Sequence, residues 1–125
     1  IRGDSMVQYV YFLYGKDDEL LYVGQTNSLK SRIGAHLINH EWSEEIAKAK
    51  YIEFMGDKNT AQAVEGILIW KMSPKYNRRG AGYVYFTDKV IESLDALYGD
   101  KFKLNKLMKT FDIETELNQN KRSRK

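Results

Sequence analysis

Met6-Val7-Gln8-Tyr9-Val10-Tyr11-Phe12-Leu13-Tyr14 and, after five intervening residues, Leu20-Leu21-Tyr22-Val23-Gly24 are the two runs on which the fold of this chain turns. Both are rich in Val, Tyr and Phe, the side chains that suit a half-buried pleated surface. The polar segment from Gly15 to Glu19 between them predicts a hairpin turn. Side chains alternate across a strand, so Tyr9 shares a face with Tyr11, and Tyr22 shares one with Gly24.

Working outward, Asn27 or Ser28 can cap a helix whose apolar Leu29, Ile33 and Leu37 recur at helical spacing to about His40, with Arg32 and His36 one turn apart on one face. Glu41 to Lys50 reads as a second, shorter helix, and Tyr51 to Met55 as a third strand ending at Gly56. Asn59 or Thr60 caps the next helix, Ala61 to about Met72, which is apolar nearly all round and is expected to be central; Ser73-Pro74 ends it. Beyond Gly80-Ala81-Gly82, a short strand is predicted from Tyr83 to Phe86 and a helix from the Asp88 cap to about Tyr98. A last amphipathic helix carries Leu104, Leu107, Met108 and Phe111 on one stripe.

A chain of 125 residues with 42% hydrophobic content has room for one domain and one core. The absence of cysteine excludes disulfides and thiolate metal sites. Neither a signal peptide nor a membrane-length apolar run is visible, so an intracellular, cytoplasmic protein with no membrane partner is expected. Residues 1–5 are read as a cloning remnant ahead of Met6, 6–86 as the main domain, 87–117 as its helical extension and 118–125 as a basic, disordered tail. Of the net charge of +3, Lys121, Arg122, Arg124 and Lys125 supply four positive charges, leaving the body near neutral at −1. That tail either attracts phosphates or is a solvated end. A second cationic run, Lys71, Lys75, Arg78 and Arg79, surrounds the only proline and, with Lys30, supplies candidate nucleic-acid contacts.

Glu65 is the most informative single residue. Its helical neighbours include Ala61, Leu68 and Ile69, so its carboxylate leaves a mostly apolar surface and needs a cation, a metal or strong donors if it is buried. The bland alternatives are a carboxylate at the helix's solvent edge or one paired with an arginine.

Tyr-Val-Tyr at 9–11, a polar turn, Leu-Tyr-Val-Gly-Gln-Thr-Asn at 21–27, Arg32 and His36 on a helix, and later Glu65 and Pro74…Asn77 together resemble the GIY-YIG nuclease family. The resemblance runs from Val7 to Asn77 and joins several motifs in the family's order. It aligns Tyr11 and Tyr22 with the two catalytic tyrosines, Gly24 with the glycine closing the second motif, and Arg32 with the catalytic arginine. His36 falls at a site often occupied by histidine, Glu65 at the metal ligand and Asn77 at the downstream asparagine. One departure stands out: Tyr9 occupies the place of the first motif's glycine, where a bulky side chain can reshape the substrate groove.

The resemblance implies an α+β fold with a small three-stranded antiparallel sheet flanked by helices, here with extra C-terminal helices. It also implies an endonuclease that cuts one strand per active site with one divalent cation, Mg²⁺ or Mn²⁺, on nucleic acid, DNA favoured over RNA. The residue chemistry agrees, because a hard cation that keeps much of its water shell can be held by one carboxylate and the substrate phosphate. Arg32 offers a permanently charged fork for the phosphate. Tyr11 is the candidate general base, provided Arg32 or the metal acidifies its phenol from about 10. Tyr22 is read as orienting the water, His36 as assisting or as holding Arg32's surroundings, and Asn77 as supporting the loop after Pro74. The alternative from another class is a non-catalytic nucleic-acid-binding or interaction module on the same fold.

Overall fold

The computed structural model describes residues 7–77 and 88–117. β1 (Val7–Tyr14) and β2 (Leu20–Thr26) form the expected antiparallel hairpin. In its turn the Gly15 N–H donates to the Glu19 carbonyl at 2.8 Å, while Asp17 and Asp18 take φ of 59° and 60°, a conformation that aspartate tolerates better than most side chains. α1 (Leu29–His36) follows. β3 (Lys48–Met55) pairs with the other edge of β1 from Val7↔Met55 to Tyr14↔Lys48. α2 (Lys58–Met72), α3 (Asp88–Tyr98), α4 (Lys101–Leu107) and β4 (Lys109–Phe111) follow, and residues 113–117 are again helical. The sheet runs β2-β1-β3-β4, antiparallel throughout.

The fold is the expected α+β arrangement, with four strands in place of three. The extra strand comes from the stretch read as the end of the last helix. β4 pairs with the outer edge of β3, Ala49↔Phe111 to Tyr51↔Lys109, so the C-terminal extension is not purely helical. The helical stripe divides: Leu104 and Met108 pack on the α2 side of the sheet, whereas Phe111 is buried on the α1 side. An open edge on β3 rewards strand pairing more than three further residues of helix would, because it satisfies backbone groups in a ladder.

The helix expected over Glu41 to Lys50 is absent. A single 3₁₀ turn at Ser43–Glu45 gives way to β3, three residues ahead of the expected strand start at Tyr51. Lys48 and Lys50 have good helix propensity, but Ala49 sits fully buried between them opposite Leu13, and this tertiary pairing outweighs local preference. α1 likewise stops at His36 rather than about His40. The Ser43 hydroxyl donates to the His36 carbonyl at 2.5 Å and accepts from the His40 N–H at 3.0 Å, taking the place of the helical hydrogen bond that would join those two groups.

α2 starts earlier than expected, with Asp57 as its cap in place of Asn59 or Thr60; its carboxylate accepts from the Thr60 N–H at 2.8 Å. Ser73 ends it in the left-handed conformation, φ 47°, immediately before Pro74. Its packing is less complete than its apolar sequence implies, because Trp70 is 79% exposed. The Tyr83 to Phe86 strand, Arg78, Arg79 and residues 118–125 lie outside the described residues.

Two side-chain layers sandwich the sheet. Val10, Phe12, Val23 and Ile52 meet Val64 and Leu68 of α2, Tyr98 of α3 and Leu104 of α4 on one face. Tyr11, Leu13, Ala49 and Phe111 meet Ile33 of α1 on the other. Among the described residues no helix is long and apolar enough to cross a membrane.

Candidate active site

Tyr11 lies at the centre of β1, fully buried on the α1 face, directly opposite Gly24 of β2. The missing side chain at Gly24 is what admits the phenol: a Cβ there would lie 2.8 Å from Tyr11 Cε1 and closer still to Cζ and the hydroxyl oxygen. The family's motif glycine is therefore a packing requirement in this chain.

Two residues of α1 hold the hydroxyl. Arg32 Nε donates to it at 3.4 Å, and His36 Nε2 stands 2.6 Å away. Burial pushes the Tyr11 phenol well above its ordinary range and outweighs the opposing effect of Arg32, so Arg32 does not supply the expected acidification. His36 moves the other way, down to about 4, through burial first and then the positive charges of His40 and Arg32. At neutral pH its imidazole is uncharged, with one nitrogen accepting and one donating. The Tyr11 hydroxyl and His36 Nε2 are joined by one hydrogen bond, and His36 Nδ1 and His40 Nε2 by another at 2.8 Å, with the donor in each set by the His36 tautomer.

Tyr22, on β2, packs its ring 6.1 Å from that of Tyr11 and 4.7 Å from that of His36. Its phenol is also raised, by burial and then by the charge of Glu65. Glu65 comes from α2, on the far side of the sheet, and its carboxyl feels the Gln25 backbone just past Gly24 and the charge of Arg32. Burial raises its carboxyl to about 7 against the opposing pull of Gln25 and Arg32. A carboxylate penalised in this way fits a cation, whose charge would reverse the penalty. Among the described residues no group of three or more His, Asp or Glu is assembled that could hold a metal.

Asn77 supports the site from an unexpected direction. Its side chain pairs with the backbone of β2 rather than with its own loop: Oδ1 accepts from Val23 N–H and Nδ2 donates to Val23 C=O, both at 2.8 Å. With Tyr76 N–H on Leu21 C=O at 2.8 Å and Lys75 N–H on Leu20 C=O at 3.1 Å, the segment after Pro74 closes the outer edge of β2 from Leu20 to Val23.

The structure thus brings Tyr11, Tyr22, Gly24, Arg32, His36 and Glu65 together, with Asn77 behind them. Among the described candidate phosphate contacts, Lys30, Lys71 and Lys75 each pair with acidic residues of separate segments. Lys30 pairs with Glu116 at 4.0 Å, Lys71 with Asp95 of α3 at 3.0 Å, and Lys75 with Glu45 at 3.4 Å and Glu19 at 4.0 Å. Tyr9 packs edge-on against Tyr51, ring centres 5.9 Å apart, beside a cavity that also meets Lys30.

Sequence reasoning missed His40, Trp42 and Tyr76. His40 stacks on Trp42 at 4.3 Å and Trp42 on Tyr76 at 4.6 Å, extending the cluster from His36 towards solvent. The sequence carried no sufficient signal for them, because α1 ends at His36 and His40 is set against it by Ser43 rather than by helical spacing.

The model of the GIY-YIG catalytic domain matches residues 7–77, the span that contains every member of this constellation. The chain is 35% identical over 77 residues to UvrABC system protein C of Finegoldia magna, covering 54% of this chain and 12% of that protein. It is 33% identical over 106 residues to UvrABC system protein C of Wolbachia pipientis subsp. Culex pipiens, covering 77% and 18%, and 32% identical over 79 residues to that of Xylella fastidiosa, covering 58% and 13%. The chain therefore spans less than a fifth of the length of these relatives. No solved structure matches it. With the family's motif residues converging on one site, on the family's sheet, the chain belongs to the GIY-YIG nuclease family.

Proposed function

We propose that this chain is an endonuclease that hydrolyses phosphodiester bonds of nucleic acid, DNA in preference to RNA, one strand per active site. The observation that carries the reading is the position of the Tyr11 hydroxyl, held between Arg32 Nε and His36 Nε2 with the Glu65 carboxyl reaching the same end of β2.

Tyr11 is the general base for the attacking water. A buried phenol does not ionise unaided, and the neutral His36 ring 2.6 Å away is the group able to accept its proton. Arg32, an exposed residue, binds the scissile phosphate and stabilises the charge that grows on it. Tyr22 orients the water from the neighbouring strand. Glu65 would hold one divalent cation, Mg²⁺ or Mn²⁺, which when bound supplies positive charge to the phosphate oxygens. The mixed polarity around Lys30, Lys71 and Lys75 leaves phosphate recognition chiefly to Arg32, with Arg78, Arg79 and the basic tail as further candidates.

The test is incubation of the chain with single-stranded, double-stranded and branched DNA, and RNA beside them, with Mg²⁺ or Mn²⁺ and with a chelator. Cleavage that the chelator abolishes and that is fastest on DNA is expected. Binding without cleavage in every metal condition would refute the reading in favour of a binding module on the same fold.

A further inference from the structure

His36 is only 4% exposed, yet the mechanism above delivers a proton to it. Its Nδ1 side answers that need. His40 Nε2 is 2.8 Å from His36 Nδ1, and the two rings lie 4.9 Å apart, 23° from parallel. His40 is half-buried, and its far face stacks on Trp42, 9° from parallel. Ser43 locks the arrangement by taking the His40 N–H and giving its own proton to the His36 carbonyl. The cost is the last turn of α1, which suggests that the position of His40 matters.

We infer that His40 is the outlet of a proton relay that runs from Tyr11 through His36 to solvent. The inference rests on the nuclease reading and adds a residue to it. The transfer balances as follows. The Tyr11 O–H bond breaks and its proton bonds to His36 Nε2, while the His36 Nδ1–H bond breaks and that proton bonds to His40 Nε2. His36 has then exchanged one neutral tautomer for the other, Tyr11 is a phenolate, and the positive charge is on His40. The Trp42 ring 4.3 Å away favours a cation on its face, and water removes the proton from His40. The Tyr11 phenolate takes a proton from the attacking water and the cycle closes. Passing the charge through His36 without leaving it there avoids an imidazolium at the most buried point of the site.

Two variants separate a relay from a scaffold. In His40→Gln the amide reaches the position of Nε2 and keeps a hydrogen bond to His36 but cannot accept the proton. In His40→Ala the space between His36 and Trp42 is open to added imidazole. Cleavage of a fluorescent DNA set with Mn²⁺ is measured for the full chain and both variants, with melting temperatures beside it. We expect His40→Gln to melt like the wild type and keep its KM, with kcat down about 10- to 100-fold, a typical loss for impaired proton transfer. His40→Ala should be slow and regain rate in proportion to added imidazole. Wild-type kcat in His40→Gln, or His40→Ala that no concentration of imidazole accelerates, would overturn the relay and leave the nuclease reading standing. Absence of cleavage by the wild type itself would overturn both.

Discussion

Replacing Gly24 by alanine adds one methyl group at the point where β2 passes beneath the Tyr11 ring. The new carbon would stand 2.8 Å from Cε1 and nearer to Cζ and the oxygen, inside the range where atoms must move. The ring cannot yield cheaply, because it is fully buried and tied to His36 at 2.6 Å. Overpacking of this kind costs about 1–3 kcal/mol, and a buried hydroxyl pulled from its partner costs about 1–3 more. Alanine returns roughly 0.4–1 kcal/mol by restricting the unfolded chain. The expected net loss is about 1–5 kcal/mol, read by urea unfolding, with cleavage lost because the hydroxyl leaves Arg32 and His36. A double-mutant cycle assigns the cause: in a Tyr11→Leu background, which removes the clashing Cζ and oxygen, the Gly24→Ala cost should fall by more than about 1 kcal/mol. Gly66→Ala is the control, since its Cβ meets nothing within 4 Å and helix propensity alone predicts a gain of about 0.5–1 kcal/mol. A Gly24→Ala protein as stable and active as the wild type, or one whose cost is unchanged in the Tyr11→Leu background, would refute the argument.

Tyr11→Phe keeps the ring and its burial but leaves His36 Nε2 without its buried partner, so stability should fall by about 1–3 kcal/mol with DNA affinity close to wild type, while kcat falls at least ~100-fold; retention of more than about a tenth of the turnover would remove Tyr11 as the principal base. Glu65→Gln should abolish metal-dependent cleavage and, measured without divalent cations, change the pH dependence of stability. The folded carboxyl is raised to about 7 from the ordinary 4.5, so its charged form is penalised in the native state. Wild-type stability therefore declines as pH rises from about 4.5 through about 7, and glutamine does not. The variant should gain roughly 1–3 kcal/mol on the wild type between pH 5 and 8 in calorimetry, and a pH-independent difference would contradict the desolvation. Asn77→Ala strips two hydrogen bonds from Val23 and should cost about 1–2 kcal/mol by urea unfolding, with kcat falling as β2 loosens.

The residues of the site were legible because each carries its chemistry in its type and spacing. Two tyrosines on adjacent strands, arginine and histidine one helical turn apart, and a carboxylate on an apolar helix needed no coordinates to attract attention. Their meeting point was not. Glu65 reaches the site from the opposite side of the sheet through the Gln25 backbone, and Asn77 pairs with Val23 across 54 residues of chain. Lysines 30, 71 and 75 read as a cationic set, but acidic partners from distant segments claim each one separately.

For the elements, local pattern was sufficient wherever the partner is near in the chain. The β1–β2 hairpin, the start of α1, the body of α2 and α3 follow from alternation, helical spacing and caps. Tertiary structure alone decided the segments with competing partners. Residues 48–50 and 109–111 accept a helix on propensity, yet each becomes a strand because an edge of the sheet stands open to it and satisfies its backbone. α1 stops where Ser43, seven residues on, captures the His36 carbonyl and the His40 N–H. That capture sets His40 against His36, and no period in the sequence encodes it, because the energy that holds it exists only once the chain has folded back on itself.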